Sequence, residues 1–168
     1  ALTDSREHLE RYLLDTADQF SGFNLVQLTT ADGWYFSNRD AHPGRQIHRG
    51  VYGLSNHLLQ TPWPKLLRLR QAAGDTIAAA GRDAAKLHNE LIPLLQDSTP
   101  APDHMLPDTG VGLETERFLS SPFIVGSDYG TRATTVVTVS ASGEIEVTEQ
   151  NWGPDARTGE RRHFHWRR

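Results

Sequence analysis

Hydrophobic positions at the front of the chain recur at the spacing of an α-helix. The recurring residues are Leu9, Tyr12, Leu13, Ala17 and Phe20. Asp4, followed three positions later by Glu7, resembles a capping box, the pattern that often opens a helix. The spacing therefore predicts an amphipathic helix over roughly residues 5–19.

The pattern then changes to β-type segments. Residues 23–29 and 34–38 are β-rich and flank the turn signal Ala31-Asp32-Gly33, which predicts a hairpin. Residues 40–49 contain Pro43 and Gly44 and are predicted to form a loop. Residues 49–54 are predicted to form a third short strand.

Helical spacing returns in the middle of the chain. Residues 65–73 and 83–91 each carry an apolar stripe and predict two helices, with Pro93 either kinking the second helix or starting a short turn. Residues 97–112 are rich in Pro, Asp, Thr and Gly and predict a surface loop. Residues 114–119 predict a further short helix.

The last third of the chain predicts a meander of four strands. The candidate strands are residues 123–125, 132–139, 144–150 and 160–166. In the second of them, Thr135, Val137 and Val139 alternate with Thr134, Val136 and Thr138, so that both faces are uncharged. We therefore expect this sheet to be covered on both faces. The element order predicts an α+β fold with antiparallel strands, in one domain spanning residues 1–168.

Charge, cysteine content and the length of apolar runs exclude several classes of function. The 168 residues carry a formal charge of −4, which argues against nucleic acid as the main partner. The C-terminal arginines are predicted to lie on a solvated strand and tail: Arg157, Arg161, Arg162, Arg167 and Arg168. There is no cysteine, so this sequence provides neither a disulfide nor a thiolate nucleophile. No apolar run approaches the ~20 residues that a membrane-spanning helix needs. We predict a cytoplasmic protein with no cofactor.

The run from Tyr52 to Lys65 concentrates polar and rigid groups. Pro62 and Pro64 fix the backbone on both sides of Trp63, and Ser55 and Asn56 lie between a predicted strand end and this stiff turn. One interpretation is a plain connector, in which Asn56 bonds its own backbone and Thr61 caps the next helix. The other is a loop that holds an amide side chain at a fixed angle for binding or catalysis.

This run resembles the "YGLSN…LDTPWPK" signature of the NRDE family, also called the transport and Golgi organisation protein 2 family, with Gln60 where Asp is usual. Residues 23–39 resemble the family's "FNLL…YYSNR" segment, and residues 119–135 resemble its "LSSIFI…YGTRSST" segment. The three matches occur in the family's order and span most of the chain. The sequence is therefore identified as resembling the C-terminal portion of this family's domain.

The resemblance implies the fold of N-terminal-nucleophile hydrolases, an αββα sandwich, here without its front strands. In that architecture the first residue of the mature chain is the nucleophile, and its own amine acts as base. Ala1 offers no nucleophile. The family's front segment opens with Met-Cys, so we expect the nucleophile to lie outside this sequence and the chain alone to be inactive.

The resemblance also implies roles for particular residues. Asn56 is a candidate oxyanion donor, and Arg132 is a candidate cation beside the nucleophile. The alternative for Arg132 is an ion pair with Asp128 or Glu149. The further candidates for contact with substrate are Asn38, Ser55, Trp63, Tyr129 and Thr131. The alternative for Asn38 is turn capping, and the alternative for Trp63 and Tyr129 is core packing, the usual place of such aromatic side chains.

Two histidines in one strand raise a metal hypothesis. His163 and His165 lie on the same face of a predicted strand, but no third ligand stands at a recognisable spacing. An exposed strand is the simpler interpretation. Three functions remain open: amide-bond hydrolysis of a small substrate, haem or small-molecule carriage related to secretory organisation, and a purely structural role. The oligomeric state is open as well.

Overall fold

A computed structural model describes the backbone of residues 2–167 and the side chains of residues 6–167. The chain divides into two compact units, which are described one at a time. The first unit runs to Gly50 and includes Leu54–Leu59, and the second contains Val51–Gly53 and the chain from Gln60 onward. Helices and antiparallel sheets occur together, so the predicted α+β class is confirmed. The single domain stays a prediction, and Ala1 lies outside the described residues.

The first unit contains one helix and a three-stranded antiparallel sheet. Its elements are α1 (Leu2–Thr16), β1 (Asn24–Leu28), β2 (Gly33–Ser37) and β3 (Gly44–Ile47). The strand order is β1-β2-β3, and the predicted helix and hairpin are confirmed. The predicted capping box is wrong, because the helix already begins at Leu2 and Asp4 lies inside it. The side chain of Asp4 is not among those described.

Strand β3 corrects two predictions. It lies inside the predicted loop of residues 40–49, and the predicted strand of residues 49–54 does not form. The position of β3 follows from pairing with the free edge of β2, in which Phe36 pairs with Gly44 and Gly33 with Ile47. A Cβ on Gly44 would stand 3.2 Å from the Trp34 ring. Glycine therefore serves close packing here rather than a turn.

The core of the first unit lies between α1 and β2. All five residues of β2 are buried, and Trp34 and Phe36 pack against Leu13 of α1 and against Ala17, which follows the helix directly. Arg6 donates two hydrogen bonds of 2.7 and 2.8 Å to the carboxylate of Asp32, tying α1 to the β1–β2 turn. The bonds from Arg6 lower the pKa of Asp32 to about 2.

The second unit contains three helices and another antiparallel sheet. Its elements are α2 (Pro64–Ala80), α3 (Ala84–Leu94), α4 (Leu113–Leu119), β4 (Ala133–Val139), β5 (Glu144–Trp152) and β6 (Thr158–Arg167), with strand order β4-β5-β6. The three helices and the Pro-rich loop are confirmed, and α2 runs past its predicted end near Ala73. Asp83 caps α3 by accepting from the Lys86 amide. Pro93 lies inside the last turn of α3.

The predicted four-strand meander has three strands. Residues 123–125 form no strand, because their backbone is held by non-strand partners. The Phe123 amide donates to the Asp97 carbonyl, and the Ile124 amide donates to the Thr131 hydroxyl. The prediction that both faces are covered is also wrong. Helix α3 packs on β4 and β5, whereas Val137 and Val139 on the opposite face are 57% and 54% exposed.

A buried histidine joins α3 to this sheet. His88 Nδ1 lies 2.8 Å from Thr148 Oγ1, and His88 Nε2 lies 3.1 Å from Thr138 Oγ1. Burial lowers the pKa of His88, so the ring is neutral near pH 7. With both nitrogens paired, His88 is a structural link between helix and sheet.

Candidate functional site

We number the three segments that resemble the family in chain order: the first signature segment is residues 23–39, the second is residues 52–65 and the third is residues 119–135. The second contains a loop whose two ends are hydrogen-bonded to each other. The Gln60 amide donates to the Gly53 carbonyl at 2.8 Å, and the Gly53 amide donates to Gln60 Oε1 at 2.9 Å. A Cβ on Gly53 would lie 2.6 Å from the Leu66 side chain, so only glycine fits this approach. Gln60 has a φ of 65°. We call the enclosed residues, Leu54–Leu59, the signature loop.

The hairpin of the first unit anchors the signature loop. The Tyr35 hydroxyl donates to Asn24 Oδ1 at 2.6 Å and accepts from the Leu59 amide at 3.1 Å. Asn24 Nδ2 donates to the His57 carbonyl at 3.1 Å. Tyr35 is fully buried, the two bonds of its hydroxyl are partly buried, and the Asn24–His57 bond is exposed. The first and second signature segments therefore meet in this unit.

Asn56 is presented at the surface of the anchored loop. Its Oδ1 accepts from the Ser55 hydroxyl at 3.0 Å, while among the described residues its Nδ2 has no hydrogen-bond partner. Asn56 is exposed, so its Nδ2 donor is open to solvent. The plain-connector interpretation had Asn56 bonding its own backbone and Thr61 as the helix cap. The Asn56 side chain bonds to Ser55 instead of to its own backbone, and Trp63 rather than Thr61 is the N-cap residue of α2.

Lys65 joins the second signature segment to the third within the second unit. Its Nζ donates to the Leu119 carbonyl at 2.9 Å and lies 5.8 Å from the centre of the Trp63 ring. Burial lowers the pKa of Lys65, and the Glu116 carboxylate opposes that shift. Trp63 is partly buried beside this cation. These contacts favour a structural role for Trp63, and substrate contact by it stays a prediction.

The third signature segment folds into a tight loop between Ile124 and Thr131. The Ile124 carbonyl accepts a hydrogen bond from the Thr131 amide, and the Ile124 amide donates one to the Thr131 hydroxyl, both at 2.9 Å. A Cβ on Gly126 would lie 2.5 Å from the Tyr129 carbonyl. Tyr129 is 62% exposed, with its ring 6.2 Å from that of Phe118. Thr131 thus shapes the loop, while Tyr129 projects from it rather than packing into the core.

Arg132 stands exposed just before β4. No carboxylate pairs with its guanidinium in the part of the chain that the structure describes. Asp128 instead accepts from Ser127, and Glu149 accepts from Thr135. The alternative ion pair with Asp128 or Glu149 is therefore wrong, and the Arg132 guanidinium is not paired with either carboxylate.

Asn38 is engaged entirely by backbone groups. Its Oδ1 accepts from the Phe23 amide at 2.9 Å, and its Nδ2 donates to the Ala17 carbonyl at 2.8 Å. Longer bonds reach the carbonyls of Phe20 and Ser21. This geometry favours the capping alternative, and a substrate contact by Asn38 stays a prediction.

The structure groups the candidate residues into two sets. Ser55, Asn56 and Asn38 belong to the first unit, and the second contains Trp63, Tyr129, Thr131 and Arg132. Convergence of Asn56 with Arg132 stays a prediction. Sequence reasoning missed the anchors Asn24 and Tyr35. The one feature of the sequence that pointed to these two residues is that both lie in the first signature segment.

The two histidines of β6 face carboxylates on β5. His165 Nε2 lies 2.9 Å from Glu144 Oε2, and His163 Nε2 lies 3.9 Å from Glu146 Oε2. Over the described residues, no group of three or more His, Asp or Glu side chains is arranged to hold a metal ion. The histidines are thus accounted for by cross-strand pairs on an exposed strand.

Fold and site together define an α+β protein with two antiparallel sheets and a tethered loop that displays an asparagine amide. Residues 2–154 match the model of the family "Transport and Golgi organisation 2", and the chain belongs to this family. Within residues 2–167, no helix has both the length and the apolarity to cross a membrane. The cytoplasmic location stays a prediction.

Named relatives occur in mammals. The chain is 32% identical over 160 residues to the "Transport and Golgi organization protein 2 homolog" of Homo sapiens, covering 88% of this chain and 56% of that protein. It is 32% identical over 146 residues to the Bos taurus homolog and 28% identical over 144 residues to the Mus musculus homolog, covering 79% of this chain and 51% of the relative in each case. The chain therefore spans about half the length of these relatives.

Proposed function

We propose that this chain contributes the oxyanion-binding part of a site that hydrolyses an amide bond in a small substrate. The supporting observation is the state of Asn56: its carbonyl oxygen is held by Ser55, and its NH₂ is open on an anchored loop. A donor fixed in advance stabilises a developing oxyanion without having to reorganise during the reaction. The 168 residues contain no cysteine, so a cysteine nucleophile is not among them.

Arg132 is the candidate cation of the proposed chemistry, on the strength of its own surroundings in the second unit. An unpaired guanidinium next to a thiol favours the thiolate and so lowers the pKa of the thiol. The exposure of Arg132 and the separate bonds of Asp128 and Glu149 support this role, because its charge is not neutralised by either carboxylate. Ser55 and Thr131 act through the loops that they shape.

The αββα sandwich belongs to the same proposal. Sheet β4-β5-β6 has α3 on one face and exposed apolar side chains on the other. A sheet of this kind suits stacking against a second sheet about 10 Å away, with helices outside.

Asn56→Ala tests the hydrolase proposal in the natural protein. Loss of one oxyanion donor is expected to lower kcat by ~10²–10³ with little change in KM. The assay is amine release from a panel of small amides, with and without a thiol-blocking reagent. Asn89→Ala, on the exposed surface of α3, is the matched control. Equal rates for the two variants, or no turnover of any panel member, would contradict the proposal.

A second candidate function is small-molecule carriage. The relatives' names give transport and Golgi organization and no ligand. Tyr129 and Phe118 favour carriage, because they form an exposed aromatic pair, 62% and 41% accessible. Haem is the first ligand to test, by absorbance titration. If this pair binds haem, Tyr129→Ser weakens binding while Tyr12→Ser, at an exposed helix position, does not. Equal affinity in both variants rules out this site.

A further inference from the structure

The hydroxyl of Thr148 lies between two histidines where α3 packs on its sheet. Thr148 Oγ1 is 2.8 Å from His88 Nδ1 and 3.0 Å from His163 Nδ1. Thr148 and His88 are each 2% exposed, whereas the side chain of His163 is 54% exposed. One hydroxyl therefore links a buried imidazole of α3 to an imidazole of β6 that meets solvent.

A threonine hydroxyl carries one proton, so it donates to only one of these two nitrogens at a time. In the first arrangement, Thr148 donates to His163 and accepts from the Nδ1–H of His88. The Nε2 of His88 then accepts from the Thr138 hydroxyl, 3.1 Å away. In the second arrangement each of these bonds points the other way: Thr148 donates to His88 Nδ1, and the proton of His88 lies on Nε2 and is donated to Thr138.

The protonation state of His163 selects between the two arrangements. A neutral His163 with its proton on Nε2 directs that proton toward Glu146 Oε2, 3.9 Å away, and leaves Nδ1 to accept from Thr148. A protonated imidazole has N–H donors at both nitrogens and no acceptor. The Nδ1–H of a protonated His163 must then donate to Thr148, which enforces the second arrangement.

We propose that Thr148 couples these histidines into a pH-sensitive switch, in which proton uptake by His163 moves the proton of His88 from Nδ1 to Nε2. One proton is gained from solvent, and His88 stays neutral throughout. The gained proton enters at Thr138, which gives its own proton to His88 Nε2. His88 Nδ1 gives its proton to Thr148, and Thr148 gives its own to His163 Nδ1. The inference is independent of the proposed hydrolysis.

The groups around the two rings place the added proton on His163. Burial, the largest influence, lowers the pKa of His88, the Glu146 carboxylate opposes this shift, and His163 and Arg161 add to it. Among the described residues, α2 and β4, which also pack on α3, contribute no group to this shift. The charged and titratable groups around His163 lie on the same face of β5 and β6: Glu146, Glu144, Arg161 and His165.

Both ends of this chain of hydrogen bonds line a cavity. Thr138 and Glu146 face a cavity of about 570 Å³ beside the start of α3. In the first arrangement, Thr138 gives its proton to His88 and offers only lone pairs to the cavity. In the second it accepts from His88, and its own proton is available to a group bound there. Proton uptake by His163 thus changes Thr138 from an acceptor into a donor.

Nitrogen NMR of the isotope-labelled protein tests the switch, because the shifts of Nδ1 and Nε2 show which nitrogen carries the proton. The titration runs from about pH 8 to about pH 5, the window in which histidines change charge. We expect the ratio of the Nδ1–H to the Nε2–H tautomer of His88 to fall at least about fivefold, the equivalent of one hydrogen bond. The fall follows the protonation of His163.

Two variants separate the switch from a purely structural role. Thr148→Val keeps both rings but removes the hydroxyl, and His163→Gln removes the exposed ring that takes the proton. We expect the tautomer of His88 to stay constant over the titration in both. Thr135→Val, on the opposite and exposed face of the sheet, is the matched control and keeps the parental change.

Circular dichroism checks that each variant is folded, and if Thr148→Val does not fold, His163→Gln alone decides. A constant His88 tautomer in the parent while His163 becomes protonated overturns the proposal, and so does a parent that unfolds first. A tautomer change that persists in either variant overturns it as well. Loss of the change in the folded variants, with the change retained in Thr135→Val, supports it.

Discussion

Phe36→Ala is expected to lower the free energy of unfolding by about 3–5 kcal/mol, the usual cost of removing a buried aromatic ring. Phe36 is 1% exposed and packs against the core between α1 and β2. Its ring lies 5.7 Å from that of Trp34 and stacks at 5.7 Å on that of Phe23. Because β2 is the central strand of its sheet, the cavity weakens α1 and both neighbouring strands together.

Denaturant titration followed by far-UV circular dichroism measures this loss. Phe20→Ala is the matched control, since Phe20 is 51% exposed and contacts Phe23 only by an edge. We expect the control to cost less than ~1 kcal/mol. Similar losses in the two variants would show that the core is not where the structure places it.

Tyr35→Phe is expected to cost about 0.5–1.5 kcal/mol for each hydrogen bond lost, because the partners left behind are at most partly buried. The change keeps the ring but removes the hydroxyl that serves Asn24 and Leu59. The Leu59 amide then loses its partner, and Asn24 loses one of the bonds that orient it toward His57. Denaturant titration against Tyr12→Phe, at a residue that is 52% exposed, isolates the effect. An unchanged free energy in Tyr35→Phe would mean that the hydroxyl anchors nothing.

Local patterns predicted the helices and the first hairpin, because their signals lie within a few residues. The apolar spacing of Leu9, Leu13 and Ala17 reports a face that packs on the sheet, and Ala31-Asp32-Gly33 reports a turn that closes on itself. Strand β3 could not be predicted in this way. Its pairing depends on the free edge of β2, and its Pro43 and Gly44 give the signal of a loop.

The same limit applies to residues 123–125 and to the exposed face of β4. An apolar run does not indicate which groups its backbone bonds to. The Phe123 amide donates to the Asp97 carbonyl and not to a neighbouring strand. Likewise, uncharged residues on both faces of β4 do not show whether a second layer is present. In the structure, the side chains of Val137 and Val139 are exposed to solvent.

The candidate site was predictable only through resemblance, which identified Asn56 and Arg132 from signature segments. The groups that hold Asn56 in place were not predictable. The bond between Tyr35 and Leu59 joins residues 24 positions apart, and that between Asn24 and His57 joins residues 33 apart. No local pattern encodes such pairings, because they depend on how the loop returns to the hairpin.

The Tyr35 hydroxyl anchors the signature loop that carries Asn56. Amide hydrogen exchange at Leu59, compared between the parent and Tyr35→Phe, tests it most directly, because the Leu59 amide donates to that hydroxyl. We predict slow exchange in the parent and exchange at least about tenfold faster in the variant, with the amides of α1 unchanged. Equal exchange rates at Leu59 in the two proteins would contradict the claim.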